Sequence, residues 1–365
     1  MAMPLYIRYL VVMATILVCG LDRAQAVPLM EGIKLPVKLA FCGEQVPLDN
    51  SDVRERFEKE MLLTLWDRPQ VLLWIKRAPR YLTFIAQQLH ANHMPDDLKY
   101  LAIAESALRP HAGSAKGAVG FWQMLPETAR NYGLTVNADI DERRDLQAST
   151  QAALRYLQEL HDKFTSWTLA AAAYNMGEEG LTAEVLEQNT KDYYRLYLPL
   201  ETQRFIFRIL AAKLIVQDPQ AYGFQLAGKD LYKPLLFDTV ALDCFQEVPI
   251  RLVAEAAGTY FKRIKDLNPQ LRGHYIQEGH YQIHLPPGSA KGFQERLDRL
   301  LQTYSQLRQQ RIYVVKSGDS LSSIAAKFNV PLAAIIIWNR VDLDSPLYPG
   351  DRLVIYPQPV QEHQP

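Results

Sequence analysis

The 365-residue sequence has little cysteine and no excess charge of either sign. Its three cysteines form no Cys-x-x-Cys pair, so neither a zinc knuckle nor a dithiol redox centre is encoded. His-Glu-x-x-His and Gly-Lys-Ser/Thr are also missing, which removes the usual basis for zinc hydrolysis and for cradling nucleotide phosphates. His90 and His93 stand three apart near a predicted helix end, where a surface pair is the ordinary outcome. Forty basic side chains balance forty acidic ones, so no net field steers the chain toward nucleic acid or anionic lipid. Hydrophobic residues make up 48% and charged ones 22%, a balance that builds cores and excludes wholesale disorder. A neutral or mixed-charge target such as a glycan suits it better than a polyanion.

Long apolar runs are scarce as well. The run from Tyr9 to Cys19 follows Arg8 and precedes Ala24-Gln25-Ala26. It is too short to span a bilayer and has the charge, core and cleavage order of a secretory signal. Residues 1–26 are therefore expected to be a signal peptide, and the chain to be exported to the periplasm or cell envelope. A lipid anchor at Cys19 is disfavoured because Val18, not a small residue, precedes it; membrane association is not favoured. Removal of the signal leaves Cys42 and Cys244. One disulfide between them is the expectation in an oxidising compartment, with two separately buried thiols as the alternative.

What the sequence does have is helix. From Ser51, where Ser51-Asp52 reads as an N-cap, to Val216, apolar residues recur at helical spacing. Predicted helices include Asp97–Leu108, Leu146–Phe164, Trp167–Tyr174 and Thr202–Val216, interrupted by one glycine-rich loop, Gly113–Gly120. After Gln217-Asp218-Pro219, short strand candidates appear at Thr239–Leu242, Tyr281–Leu285, Tyr313–Lys316 and Arg352–Tyr356. An internal repeat accounts for them. Asn268 and Asn339 are 71 positions apart, and so are Ala254 and Ala325, Gly279 and Gly350, and Pro286 and Pro357. Apolar positions keep that offset, with Val253 matching Ile324, Ile264 matching Ile335, Leu267 matching Trp338 and Ile283 matching Val354. Two copies of a strand–helix–helix–strand unit are expected.

One carboxylate stands out. Glu105 shares a helix face with Leu98 and Leu101, and an acid on an apolar stripe tends to stay protonated, as a general acid requires. A surface Glu paired with Arg109 at i+4 is the plain alternative. Three segments then occur in order: Glu105-Ser106, Gly117-Ala118-Val119-Gly120-Phe121-Trp122-Gln123, and Ala173-Tyr174-Asn175-Met176-Gly177. Together they resemble the lytic transglycosylases, relatives of goose-type lysozyme, and are most similar to the membrane-bound murein transglycosylase D group. The segment Tyr313-Val314-Val315-Lys316-Ser317-Gly318-Asp319-Ser320-Leu321, with Pro349-Gly350-Asp351-Arg352-Leu353, resembles a LysM domain.

The resemblance implies an α+β chain. An N-terminal helical extension (27–84) would precede a lysozyme-like catalytic domain (85–216). A degenerate LysM-like module (240–287), a helical spacer (288–311), a LysM domain (312–357) and a polar tail (358–365) would come after it. Glu105 would be the sole catalytic acid/base, cleaving between N-acetylmuramic acid and N-acetylglucosamine with a 1,6-anhydro product. Ser106, Gly117, Gly120, Gln123, Tyr174 and Asn175 would hold the sugar. Gly318, Asp319, Ser320 and Leu321 would bind glycan in the last module, whereas the earlier copy has Glu247-Val248 in place of Gly318-Asp319. Peptidoglycan strands would be the partner, and neither metal nor organic cofactor is required. One departure is Glu201-Thr202-Gln203-Arg204-Phe205: family members usually carry Tyr at the last position, its hydroxyl reaching the catalytic Glu. Plain hydrolysis, or an inactive glycan-binding scaffold, are the alternative outcomes.

Overall fold

The computed structural model describes residues 35–343 and 345–356; the expected signal peptide and polar tail lie outside them. The architecture is α+β: a helical region followed by two small modules that each pair two-stranded sheets with short helices. Among the described residues no single helix is long and apolar enough to cross a membrane. The chain forms two compact units. One comprises the chain through Ala78, Pro95–Ala104 and Leu160–Tyr232; the other comprises Pro79–Met94, Glu105–Glu159 and the chain from Lys233 on.

Helices α1 (Ser51–Trp66) and α2 (Arg68–Ala91) follow a two-stranded hairpin, β1 (Ala40–Phe41) and β2 (Glu44–Gln45); α2 belongs to the first unit as far as Ala78. Asn50, not Ser51, caps α1, its Oδ1 accepting from the N–H groups of Asp52 and Val53. Pro79 lies inside α2, where it removes one helical hydrogen bond, and the unit boundary falls there. Phe57 of α1 stacks on Phe207, 5.9 Å between centroids. Asp97 gathers the hairpin and a C-terminal helix: it accepts from the Cys42 N–H at 2.8 Å and pairs with Lys213 at 2.8 Å.

The expected disulfide is not formed; Cys42 and Cys244 are both free thiols. Cys42 sits at the hairpin turn with φ 53°, and burial together with Asp97 and Glu44 pushes its thiol far up. Cys244 is packed in the core of the first module, and burial and Asp243 push it up to about 11. The thiolate is the attacking species in disulfide formation, and both settings oppose it. Each cysteine acts as a small apolar residue in its own unit.

The repeat is visible in the second unit. In the first copy, β3 (Asp238–Cys244) pairs antiparallel with β6 (Gly279–Leu285). Helices α9 (Ile250–Ala256) and α10 (Phe261–Leu267) lie between them in the chain, flanked by a further pair, β4 (Val248–Pro249) and β5 (Tyr275–Ile276). In the second copy, β7 (Ile312–Val314) and β8 (Arg352–Val354) enclose α12 (Leu321–Lys327) and α13 (Leu332–Asn339). One asparagine amide closes each copy, fully buried in the first and part-buried in the second. Asn268 donates to the carbonyls of Ile264 and His284 and accepts from the His284 N–H. Asn339 does the same with Ile335 and Val354. The partner of Val354 is therefore His284, not Ile283: the 71-residue offset holds through the helices and slips by one in the last strand. The segment read as a spacer forms helix α11 (Phe293–Gln310), whose Phe293, Leu297 and Tyr304 are buried in the first module's core.

Asn339 supplies three hydrogen bonds inside the small core of the last module. Asn339→Ala is expected to destabilise that module by about 2–3 kcal/mol, because the Val354 N–H and two carbonyls lose their partner. Amide exchange at Val354, whose N–H loses its acceptor, should accelerate accordingly in the full chain; unchanged protection would show that water replaces the amide.

Candidate active site

Glu105 closes a short helix. A 3-10 turn, Asp96–Tyr100, leads into α3 (Leu101–Ser106), where the sequence predicts one helix over Asp97–Leu108. The helix stops because Ala107 and Leu108 adopt left-handed φ of 54° and 58°. Such a conformation costs about 1–2 kcal/mol for each residue bearing a Cβ. Both side chains are buried, which offsets the strain. Glu105 is half-buried and Ser106 is 2% exposed. The freed Ser106 carbonyl accepts from the Arg109 N–H at 3.2 Å and from Arg109 Nε at 3.1 Å.

That turn is bonded to the glycine-rich loop. The Ala112 N–H donates to the Arg109 carbonyl, and the Ala112 carbonyl accepts from the Gly120 N–H at 3.0 Å. Gln123 adds its side chain: Nε2 donates to Ala112 O at 3.1 Å and to Gly120 O at 2.8 Å. Both amide hydrogens are thereby committed, so Gln123 can meet a sugar only as an acceptor through Oε1. Its own φ is 48°, a third left-handed non-glycine residue in this short stretch. Strain of this kind collects where function demands a backbone shape.

Gly120 is required twice over. Its φ is 89°, and a Cβ placed there would lie 1.8 Å from the Arg143 carbonyl oxygen. At Gly117 nothing crowds the missing Cβ, and only φ 84° favours glycine. Arg143 has no prominence in the sequence, because Asp141-Glu142-Arg143-Arg144 reads as a solvated charge cluster. Arg143 is nonetheless 6% exposed and Asp141 4%, joined by Nε–Oδ1 and Nη2–Oδ2 contacts of 2.8 and 3.0 Å. Nη1 donates to the carbonyls of Gly117 and Met124 at 2.9 and 3.1 Å.

Tyr174 and Asn175 belong to the other compact unit. They form the last turn of α6 (Trp167–Met176). The Glu44 carboxylate accepts from the N–H groups of Trp167 and Thr168 and from the Ser166 and Thr168 hydroxyls, an acid against the helix N-terminus. Four alanines, Ala170–Ala173, are fully buried and allow close packing. The helix ends at Gly177, φ 95°. Asn175 Oδ1 accepts from the Thr202 hydroxyl at 2.9 Å, and Thr202 belongs to helix α8 (Leu200–Gln217). Phe205 of that helix is fully buried, with the Arg208 guanidinium 5.5 Å from its ring. Its ring is a core element with no need of a hydroxyl.

In the last module, Gly318 (φ 86°) makes the turn and Ser320 caps α12 in a reciprocal box with Ser323. Asp319 accepts from the Tyr313 hydroxyl at 2.7 Å and the Lys316 N–H at 2.8 Å, which hold its carboxyl below the usual value. Leu321 packs against the module core. The first module has no glycine at the matching place. There Glu247 pairs with Arg340 of the last module at 2.6 Å, and the Arg340 guanidinium lies 4.9 Å from the Tyr275 ring.

Comparison with known proteins agrees with this layout. A family model for the transglycosylase SLT domain matches residues 83–196, one for the LysM domain matches 313–355, and one for the LysM-like domain of lytic transglycosylase MltD matches 237–302. The chain is 34% identical over 110 residues, 29% of its length and 53% of the relative's, to a putative tributyltin chloride resistance protein of Alteromonas sp. strain M-1. Among solved structures, the 70 kDa soluble lytic transglycosylase of Escherichia coli aligns with 54% of this chain and 34% of its own, at 17% identity and a TM-score of 0.35. Membrane-bound lytic murein transglycosylase D of Escherichia coli K12 is 33% identical over 335 residues, spanning 87% of this chain and 72% of the relative. At that identity and coverage, the chain belongs to the membrane-bound lytic murein transglycosylase D family.

Proposed function

We propose that this chain is an exported enzyme of the cell envelope that cuts peptidoglycan strands between N-acetylmuramic acid and N-acetylglucosamine, with Glu105 as the sole acid/base. Protonated Glu105 gives its proton to the glycosidic oxygen as the C1–O bond breaks. The acetamido oxygen of the muramic acid closes on C1, in place of the second carboxylate of ordinary glycosidases. The Glu105 carboxylate then takes the proton of the 6-hydroxyl, whose oxygen displaces the acetamido oxygen from C1 and closes a 1,6-anhydro ring. Water is not consumed. Gln123 accepts from a sugar hydroxyl or N–H, Asn175 meets the N-acetyl group, and Tyr174 offers a ring face to a sugar. Ser106 holds the acid in place. The turn Gly318–Leu321 binds N-acetylglucosamine and keeps the enzyme on its polymer.

The setting of Glu105-Ser106 carries this reading. A helix is ended abruptly by two left-handed residues and bonded through Arg109 and Ala112 to a loop whose Gly120 admits no side chain. It occurs in a chain one-third identical to a lytic transglycosylase over most of its length.

Glu105→Gln removes the proton donor and keeps the shape, so cleavage of purified peptidoglycan should vanish while the melting curve stays put; substantial residual turnover would contradict a single acid. Mass spectrometry of the wild-type digest should show 1,6-anhydromuramic ends. Reducing ends would identify a hydrolase, and no product an inactive scaffold. Gly120→Ala should lower kcat by about a hundredfold, since the loop must withdraw from the Arg143 carbonyl and geometry this close tolerates little displacement. Truncation after Gln310 should weaken retention on insoluble peptidoglycan while soluble fragments are still cut, because tethering raises local concentration. Equal retention would remove the binding role from the last module.

A further inference from the structure

We infer that Arg143 is the positioning residue of the glycine loop in the proposed active site, and that the first LysM-like module exists to hold Arg143 in place. The inference rests on the assignment of Glu105 and the loop made above. Arg143 grips the loop at three points. Its guanidinium donates to the carbonyls of Gly117, within the loop, and Met124, just beyond it, and its own backbone carbonyl abuts Gly120 between them. Burying a guanidinium requires that its donors be met, and the two-pronged contact with Asp141 brings the number engaged to four of five N–H groups.

Asp141 is anchored in turn by the module. It ends a small hairpin in which Val136 bridges to Asp141. The Asp141 N–H donates to the Gln270 carbonyl at 2.9 Å, and the Arg272 N–H donates to the Asp139 carbonyl at 2.7 Å. Ile140 is bridge-paired with Leu271, and its side chain is 6% exposed within the module's own core cluster. One hairpin therefore has its Asp in the loop's hydrogen-bond network and its Ile in the module's core. The module meanwhile lacks the glycine turn of its sister copy, and Arg340 pairs with Glu247 where that turn would stand. A copy that has lost its turn but keeps its full core is a brace.

The test uses the full chain and soluble peptidoglycan glycan chains as substrate. Arg143→Lys keeps the charge and gives up the fork. It should lower kcat about tenfold to a hundredfold, with KM within about twofold and retention on insoluble peptidoglycan unchanged. Ile140→Ala leaves Glu105, the loop and Arg143 intact and loosens only the hairpin's seat. Amide exchange over Gly117–Met124 should quicken in it, with a parallel fall in kcat. Wild-type kcat in folded Arg143→Lys overturns the positioning role, and unchanged loop exchange in Ile140→Ala overturns the module's part. If Arg143→Lys does not fold, Ile140→Ala decides by exchange alone. Glu105→Gln is run beside them: residual activity there sinks the assignment of the site, whereas a dead Glu105→Gln with a wild-type Arg143→Lys sinks only this inference.

Discussion

The glycine-rich loop beside Glu105 meets other backbone through isolated bridges, Gly113 with Val119 and Val119 with Met124, rather than a full sheet ladder, and the structure around Glu105 is organised by the hydrogen bonds that such sparse pairing leaves to side chains. Backbone carbonyls left without partners are costly when buried. Here side chains add donors to those that backbone N–H groups already give Ser106, Ala112, Gly120 and Met124. Arg109 serves Ser106, Gln123 serves Ala112 and Gly120, and Arg143 serves Gly117 and Met124. The donors are long and charged or amide-bearing because they must reach across from neighbouring segments while the loop keeps its surface clear. Gln123 belongs to the loop's rigidity, which is why the role proposed for it narrows to that of an acceptor.

The same constraint separates the two modules. Both keep the Asn that ties the second helix to the last strand, since without it the strand's N–H and carbonyl would lose their partner beside a core of few residues. They differ where the first strand turns into the first helix. Gly318 takes the positive φ that permits an open turn, Asp319 pins that turn, and Ser320 caps α12. The first copy uses that stretch for β4, paired with β5, and adds α11 to its core. One copy keeps a surface turn; the other enlarges its core.

Legibility from sequence tracks the range of the interactions. The helix Leu146–Phe164 matches its predicted span because periodicity over five turns is strong and local. Asp97–Leu108 is shorter as a helix than its pattern implies, since its stop comes from left-handed residues that carry no glycine signal. The cap of α1 lies one position from the expected one, Asn50 being as good a cap as Ser51. The β1–β2 hairpin has strands too short to show alternation. Phe293, Leu297 and Tyr304 stand among charged and glutamine-rich residues, so only the structure shows that the supposed spacer is core. Asp141 and Arg143 are the largest omission. A bidentate pair two residues apart, buried by a module more than a hundred positions downstream, looks in sequence like any charged surface turn.

Charge balance bears on the division of labour. With forty charges of each sign, the chain has no long-range field to draw it to a substrate, and a neutral sugar polymer would not respond to one. Encounter then depends on short-range contacts. A tethered second binding surface raises the effective concentration of a polymer at a catalytic site without any change in the site itself. On the proposed assignments, the last module performs that task and the first does something different: it fixes the loop whose shape decides what happens after encounter. On the same assignments, repeated sequence gives one copy that governs where the enzyme acts and one that governs how well its loop is held.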